Sequence, residues 1–263
     1  MIDRPELNQS YLFYNWPDKP ENVNLCTTLK TGGMSKDDFA SFNLATHVGD
    51  DLASVSSNRQ KLASDLGLSS EPVWLNQVHS DEVLTIDDHI EAHSSGYDSL
   101  VSPTADACIS RSKGTICSVL TADCLPVFFC NRSGTEGAVA HAGWRGLHAG
   151  IISNTVESMC SSNDELMVCF GPAIGPEAFE VGLDVRLAFI EKQPDNKAAF
   201  ELVSEDKYLC DIYELARREL LSLGIAASAI TGGDYCTYSD ATRFYSYRRQ
   251  KITGRMANLI WMS

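Results

Sequence analysis

Three short segments carry the residues most able to do chemistry. They are Asn76-Gln77-Val78-His79, Thr121-Ala122-Asp123-Cys124-Leu125-Pro126 and Ala140-His141-Ala142-Gly143-Trp144-Arg145-Gly146. Each sets a histidine or a cysteine at an abrupt chain feature. Taken singly, each has a bland reading: His79 as a surface turn residue before Ser80-Asp81, Cys124 as a packing thiol, His141 as a core imidazole bonded to backbone. Taken together, His79, Cys124 and His141 form a His₂Cys donor set. Three protein ligands leave a fourth tetrahedral position open, which is the pattern of a catalytic and not a structural zinc. Their wide separation along the chain matches no compact zinc finger. A nucleophile pair, with Cys124 as thiolate and a histidine as base, is an equally open reading of the same residues.

Arginines near these segments point to an anionic substrate. Arg145 lies in the same short segment as His141, and Arg248 and Arg249 follow the aromatic run Phe244-Tyr245-Ser246-Tyr247. Guanidinium forks match phosphate geometry. Ordinary surface ion pairing is the competing reading. Of the other histidines, His89 and His93 lie in a polar stretch and read as exposed, while His47 and His148 stay open.

The elements that must position these groups follow from periodicity and punctuation. Residues 51–66 read as a helix through Leu52, Val55, Leu62 and Leu66, stopped by Gly67. Short strands are expected at 73–78 and 82–86. The apolar stretch 115–130 is strand-like, with Pro126 as the expected point of interruption, because proline cannot donate to a ladder. A hairpin connection at 131–137 leads to a strand at 137–141 and folds His141 back to the same end as Cys124. A helix is expected over 147–159, a buried strand over 166–170, and a helix over 211–223 that opens on Asp211 and Glu214. Further short strands are expected at 229–231 and 243–247. Strands and helices mix without the alternation of a doubly wound sheet. The phosphate-binding glycine patterns of nucleotide folds are absent.

Composition sets the outer limits. Lys and Arg number 21 against 35 Asp and Glu, a formal charge of −14 in 263 residues. An acidic chain of this kind argues against nucleic acid and anionic membrane as main partners, but leaves room for a local pocket for one small anion. Apolar residues make up 44%, which excludes wholesale disorder. No run approaches about eighteen apolar residues, so no transmembrane span is expected. The N-terminal segment has no basic region followed by an apolar one, so no secretory signal is expected. The nine cysteines form no CxxC pair, and with no signal a disulfide framework is not expected. Eight read as packing thiols and Cys124 as the exception. The expected organisation is one domain over residues 1–263, in the cytoplasm.

Longer motifs carry a resemblance. The segments GGMSKDDFASFNLATHVGDD, NQVHSDEV, TADCLPV, AVAHAGWRGLHAGI, FGPAIGPEAFEVG and FYSYRR with TGRMANLIW run in order from Gly32 to Trp261. They resemble the YfiH or DUF152 "laccase domain" family, whose members are usually described as purine nucleoside phosphorylases and in older usage as polyphenol oxidases. One departure is Ser80, where the family commonly has glycine. The resemblance implies an α/β (α+β) fold, a four-layer α-β-β-α sandwich similar to the catalytic domain of cytotoxic necrotising factor. It implies metal ligands at His79, Cys124 and His141, with zinc as the cofactor and copper as the alternative. The implied activity is phosphorolysis of adenosine, inosine and methylthioadenosine, with deamination of adenosine. The partners are then a purine nucleoside and inorganic phosphate, handled by a monomer or homodimer. Within that frame Arg145 is the first residue to hold phosphate, with Arg248 behind it. Asp123 would accept from a ligand histidine or take a proton, and Asn43 would bond ribose or base. Two alternatives remain at this stage. One is a Cys/His hydrolase acting on a peptidoglycan precursor. The other is a copper phenol oxidase, which the supply of six histidines makes difficult, since a multicopper site needs roughly ten His and Cys ligands.

Overall fold

The computed structural model describes residues 9–92 and 102–263. His93 lies outside the described residues. Thirteen strands are described: β1 (Tyr11–Phe13), β2 (Val23–Thr28), β3 (Val83–Thr85), β4 (Ala107–Ser110), β5 (Ile116–Thr121), β6 (Leu125–Asn131), β7 (Gly137–Ala142), β8 (Leu166–Phe170), β9 (Glu180–Gly182), β10 (Phe200–Ser204), β11 (Lys207–Cys210), β12 (Ile230–Gly232) and β13 (Met256–Met262). Six helices join them: α1 (Leu52–Leu66), α2 (Ile86–Ala92), α3 (Trp144–Ala149), α4 (Ile151–Ser158), α5 (Leu183–Lys192) and α6 (Ile212–Ser222). The strands make a mixed six-stranded sheet, β12-β8-β6-β7-β4-β3, a four-stranded sheet, β1-β2-β13-β5, and a small sheet, β10-β11-β9.

The two larger sheets share an apolar seam. Phe128, Cys130, Val139 and Met167 of the six-stranded sheet meet Leu25, Val119 and Ile260 of the four-stranded one. The alternate residues Leu125, Val127 and Phe129, with Ala138, Ala140 and Ala142, face the other way, onto a cluster with Ile151, Ile152, Val156, Leu215 and Leu220. The far side of the four-stranded sheet packs Leu259 and Ile116 against Leu62 and Leu66 of α1. The period-2 alternation of a strand decides where His141 points. It shares the parity of Val139, so it projects to the seam side at the end of β7.

The Pro126 interruption falls elsewhere than expected. The chain breaks at residues 122–124, and Pro126 sits inside β6, opposite His141. The reason is directional. The His141 amide donates to the Asp106 carbonyl on the β4 side, while the Pro126 carbonyl accepts from Gly171, just past the end of β8. The absent N–H of Pro126 therefore points beyond the last residue of β8, where no ladder partner calls for it.

Four other expectations are corrected. Residues 73–78 form only isolated bridges, Val73 with Cys117 and Asn76 with Thr104. The helix expected over 147–159 is two helices, because Gly150 has φ +115° and ends α3 before α4 begins. Residues 243–247 run as irregular chain between two turns, with the Phe244 amide donating to the Asp240 carbonyl. His89 lies on α2 and is half-buried. The helices α1 and α6 fall where periodicity placed them. Each is capped by an aspartate, Asp51 accepting from the Ser54 amide and Asp211 from the Glu214 amide.

Phe128 is fully buried in the seam, edge-on to Tyr14. Truncation by Phe128→Ala is expected to cost about 3–5 kcal/mol of folding stability. Denaturant unfolding would show it as a lowered midpoint with little change of slope. An unchanged midpoint would mean the seam does not hold the sheets together.

Candidate active site

The site is assembled where β5, β6 and β7 end near one another. His79 comes from the irregular segment after residue 76 and has φ +62°, a left-handed backbone rare outside glycine. That conformation turns three successive amides toward one carboxylate. Asp106, fully buried just before β4, accepts from the Val78 amide at 3.1 Å, the His79 amide at 3.0 Å and the Ser80 amide at 2.7 Å. The Ser80 hydroxyl adds a further bond at 2.8 Å, so serine at this position contributes a donor that glycine lacks. The same carboxylate lies 2.8 Å from His141 Nδ1. With Nδ1–H donating there, Nε2 faces the other side of the ring and would offer its lone pair to a metal that displaces its proton.

Cys124 sits in the turn between β5 and β6, with Sγ 4.0 Å from His79 Nε2. The donor atoms of His79, Cys124 and His141 all lie within 4.8 Å of one another. Gly143 makes room for them. A Cβ at this residue would stand 2.8 Å from the Cys124 sulfur and 3.2 Å from the His79 ring. Among the described residues this is the grouping of His, Cys and carboxylate side chains able to hold a metal ion. Two imidazole nitrogens and a thiolate fit a divalent transition ion, which would draw the donors together by about 1 Å.

The electrostatics of the metal-free chain favour an ion pair of a Cys124 thiolate and a charged His141. Burial alone would raise the Asp106 carboxyl, but the His141 hydrogen bond, the Ser80 amide and the imidazole charge hold it at about 2. Burial likewise pushes the Cys124 thiol up, yet the charge of His141 and hydrogen bonds from both histidines bring it down to about 6. His141 is raised to about 9: burial opposes its charge, and Cys124 and Asp106 outweigh burial. The other thiols contrast with this. Cys130 and Cys169 are pushed up to about 12 by burial. All nine cysteines are free, and six are buried. Cys160 is exposed and Cys236 half-buried, so those two are not the packing thiols expected.

Two cavities flank the three donors, of about 400 Å³ and about 240 Å³. Arg145 is exposed, stacks on Trp144 and lines both. Arg248 lines the smaller one, with Nη1 donating to the Glu180 carbonyl. Two expectations need correction. Asp123 does not orient a ligand histidine. Its carboxylate accepts from Thr237 Oγ1, Ser246 Oγ and the Arg248 amide, and so ties the 237–248 segment to the Cys124 turn. The place expected for Asp123 belongs to Asp106. Asn43 does not reach the cleft either. It is fully buried, donating to the Ala45 carbonyl and Asp50, and accepting from the Ala45 and Arg255 amides. His148 packs edge-on against Phe189, whereas His47 lines the larger cavity with Arg255. Asp106, Gly143 and Arg255 were missed as site residues. The signal for Asp106 was an aspartate opening an apolar strand, since a buried carboxylate must be paired.

Known proteins match this chain closely. The family model described as multi-copper polyphenol oxidoreductase laccase matches residues 24–263. A protein of Escherichia coli named purine nucleoside phosphorylase YfiH is 47% identical over 247 residues, covering 94% of this chain and 96% of its own. A Pseudomonas aeruginosa protein, also named a purine nucleoside phosphorylase, is 44% identical, covering 96% and 98%. The crystal structure of a Neisseria meningitidis protein superposes with a TM-score of 0.88 at 41% identity, covering 97% of this chain and 99% of that one.

Two outcomes follow from the geometry. Asp106→Asn turns an amide NH₂ toward groups that already donate. It is expected to weaken metal binding by roughly 10–100-fold and to lower stability by about 3 kcal/mol. Metal titration and thermal melting check this, and wild-type values in both would refute the role. In metal-free protein, alkylation of Cys124 should rise with pH through a midpoint near about 6 and then level, because the thiolate is the nucleophile. Mass spectrometry of labelled peptides would read it, and a midpoint above about 8.5 would mean the histidines do not stabilise the thiolate.

Proposed function

Since the chain belongs to the multi-copper polyphenol oxidoreductase laccase family, the YfiH-type laccase-domain proteins, we propose that it is a zinc-dependent purine nucleoside phosphorylase. Adenosine, inosine and methylthioadenosine are its substrates, and deamination of adenosine is a second activity of the same centre. The observation that carries this reading is the convergence of His79, Cys124 and His141 beside an arginine-lined cleft. Relatives named purine nucleoside phosphorylases support it. A copper oxidase finds little support in one three-donor grouping among the described residues.

Phosphorolysis joins a phosphate oxygen to C1′ as the bond from C1′ to the purine nitrogen breaks. The electron pair of that bond leaves with the base, and the proton brought by dihydrogen phosphate neutralises it. The products are the free purine and ribose 1-phosphate, or 5-methylthioribose 1-phosphate when methylthioadenosine is the substrate. His79, Cys124 and His141 would hold the metal, which when bound supplies Lewis acidity and an activated water. The chain's own residues orient and shield. Asp106 fixes the His141 ring and the His79 backbone, Arg145 reaches the anion, and Trp144 and Phe179 wall off water on one side.

We read residues 1–263 as one α-β-β-α domain of the cytotoxic necrotising factor type. Support comes from the seam between the two larger sheets and the helical clusters on their outer faces. The nine unpaired thiols support a reducing, cytoplasmic setting. A second reading, a Cys/His hydrolase acting on a peptidoglycan precursor, draws on the depressed Cys124 thiol beside His141.

Elemental analysis should find about one zinc per chain, and inosine should release hypoxanthine only when phosphate is present. His79→Ala is expected to lose bound metal, inosine phosphorolysis and adenosine deamination together. Full activity and metal content in that variant would refute the proposal. Turnover independent of phosphate in metal-free protein, abolished by alkylating Cys124, would replace it with the hydrolase.

A further inference from the structure

The two cavities share His79, Ala122, Cys124, Arg145 and Tyr247, but they differ in chemistry. The larger has no carboxylate in its lining, although the chain carries 35 acidic residues. Arg255, Arg145 and His47 face it. The Arg255 backbone is pinned by the hydrogen bond its N–H donates to Oδ1 of the buried Asn43. Its Nη1 donates to the Thr253 and Gly254 carbonyls. Among the described residues no protein acceptor meets its Nε or Nη2, so one edge of the guanidinium is held while the other stays available to a ligand. Arg145 has no hydrogen-bond acceptor among the described residues. Burial together with the charges of Arg255 and Arg59 lowers the pKa of His47, which marks a positive field on this side.

The smaller cavity is different. Trp144, Ile174, Phe179 and Ile212 give it flat apolar walls. Its cations lie against those walls or are shared: Arg248 donates through Nη1 to the Glu180 carbonyl and lies over the Phe179 ring, Lys251 lies over Tyr247, and Arg145 also lines the larger cavity. Its one carboxylate, Asp123, is taken up by Thr237, Ser246 and the Arg248 amide. Apolar and aromatic walls with a few fixed polar groups suit a planar heterocycle, whereas two guanidiniums and an imidazole in a lining without carboxylates suit a phosphate.

We propose that the cleft is divided across the metal-type centre, with inorganic phosphate bound on the Arg255, Arg145 and His47 side and the purine on the Trp144 and Phe179 side. This places Arg255, and not Arg248, as the principal phosphate ligand, and makes Asn43 the positioning residue behind it. The division deepens the phosphorolysis proposed above and rests on it for the identity of the purine.

The test is calorimetric titration of the metal-loaded full chain with inorganic phosphate. Arg255→Gln is expected to weaken phosphate binding by about tenfold or more, the loss of a charge-assisted bond, while Arg248→Gln stays within about twofold of wild type. Steady-state kinetics should show the phosphate KM rising in Arg255→Gln with the inosine KM nearly unchanged. Phe179→Leu should raise the inosine KM and spare that of phosphate. If Arg255→Gln fails to fold, the exposed His47→Ala, which lines the larger cavity alone, decides: weaker phosphate binding supports the division, and unchanged binding overturns it. Wild-type phosphate affinity in Arg255→Gln, or a larger loss in Arg248→Gln, would also overturn it. So would adenosine monophosphate binding through Arg255 more tightly than inorganic phosphate, since the subsite would then hold a nucleotide's phosphate. If phosphate binds through Arg255 and inosine is not cleaved, the phosphate subsite stands and the phosphorylase reading fails.

Discussion

The carboxylate of Asp106 gathers two distant pieces of chain onto one point. On one side it takes three successive amides of the 78–80 turn, and on the other the ring N–H of His141. A buried carboxylate without such donors would cost several kcal/mol, so the fold and the site stabilise each other. Without Asp106 the left-handed backbone at His79 loses its reason, and the His141 ring loses its orientation. The Cys124 thiolate and this carboxylate together keep His141 charged in the metal-free chain, and that charge in turn draws down the Cys124 thiol. A metal binding there would displace the His141 proton and exploit a thiolate already formed.

Around that centre the structure separates rigid support from reach. Cys124 and His141 stand at the adjoining ends of β6 and β7, the central strands of the six-stranded sheet. His79 comes from irregular chain and is more exposed than either. The glycine at residue 143 permits close approach of all three. The arginines come from three different segments, Arg145 on α3, Arg248 on the 243–250 turns and Arg255 just before β13. Asp123 and Asn43 act behind this surface. One ties the 237–248 segment to the Cys124 turn, and the other pins the Arg255 backbone.

Local chemistry made the three donors and the main elements legible in the sequence. Apolar periodicity placed α1 and α6, and the hairpin logic put His141 beside Cys124, because both depend on residues near one another in the chain. The expected strands at 73–78 and 243–247 failed for a related reason. Val73, Trp74, Leu75, Phe244 and Tyr245 are buried against tertiary neighbours and not paired in a ladder. The single helix over 147–159 failed at Gly150, whose left-handed backbone separates α3 from α4.

By itself the sequence determined which residue types were available: two imidazoles, one exceptional thiol, several arginines, and no carboxylate run or glycine-rich phosphate loop. It could not assign roles to carboxylates and amides, because a side chain's role depends on what lies opposite it. Asp123 and Asn43 were adjacent to the right motifs and turned out to brace them. Asp106 and Arg255 were far from them in sequence and came to lie at the centre. Only the tertiary structure decided that, since hydrogen-bond satisfaction of buried polar groups is settled by packing between segments dozens of residues apart.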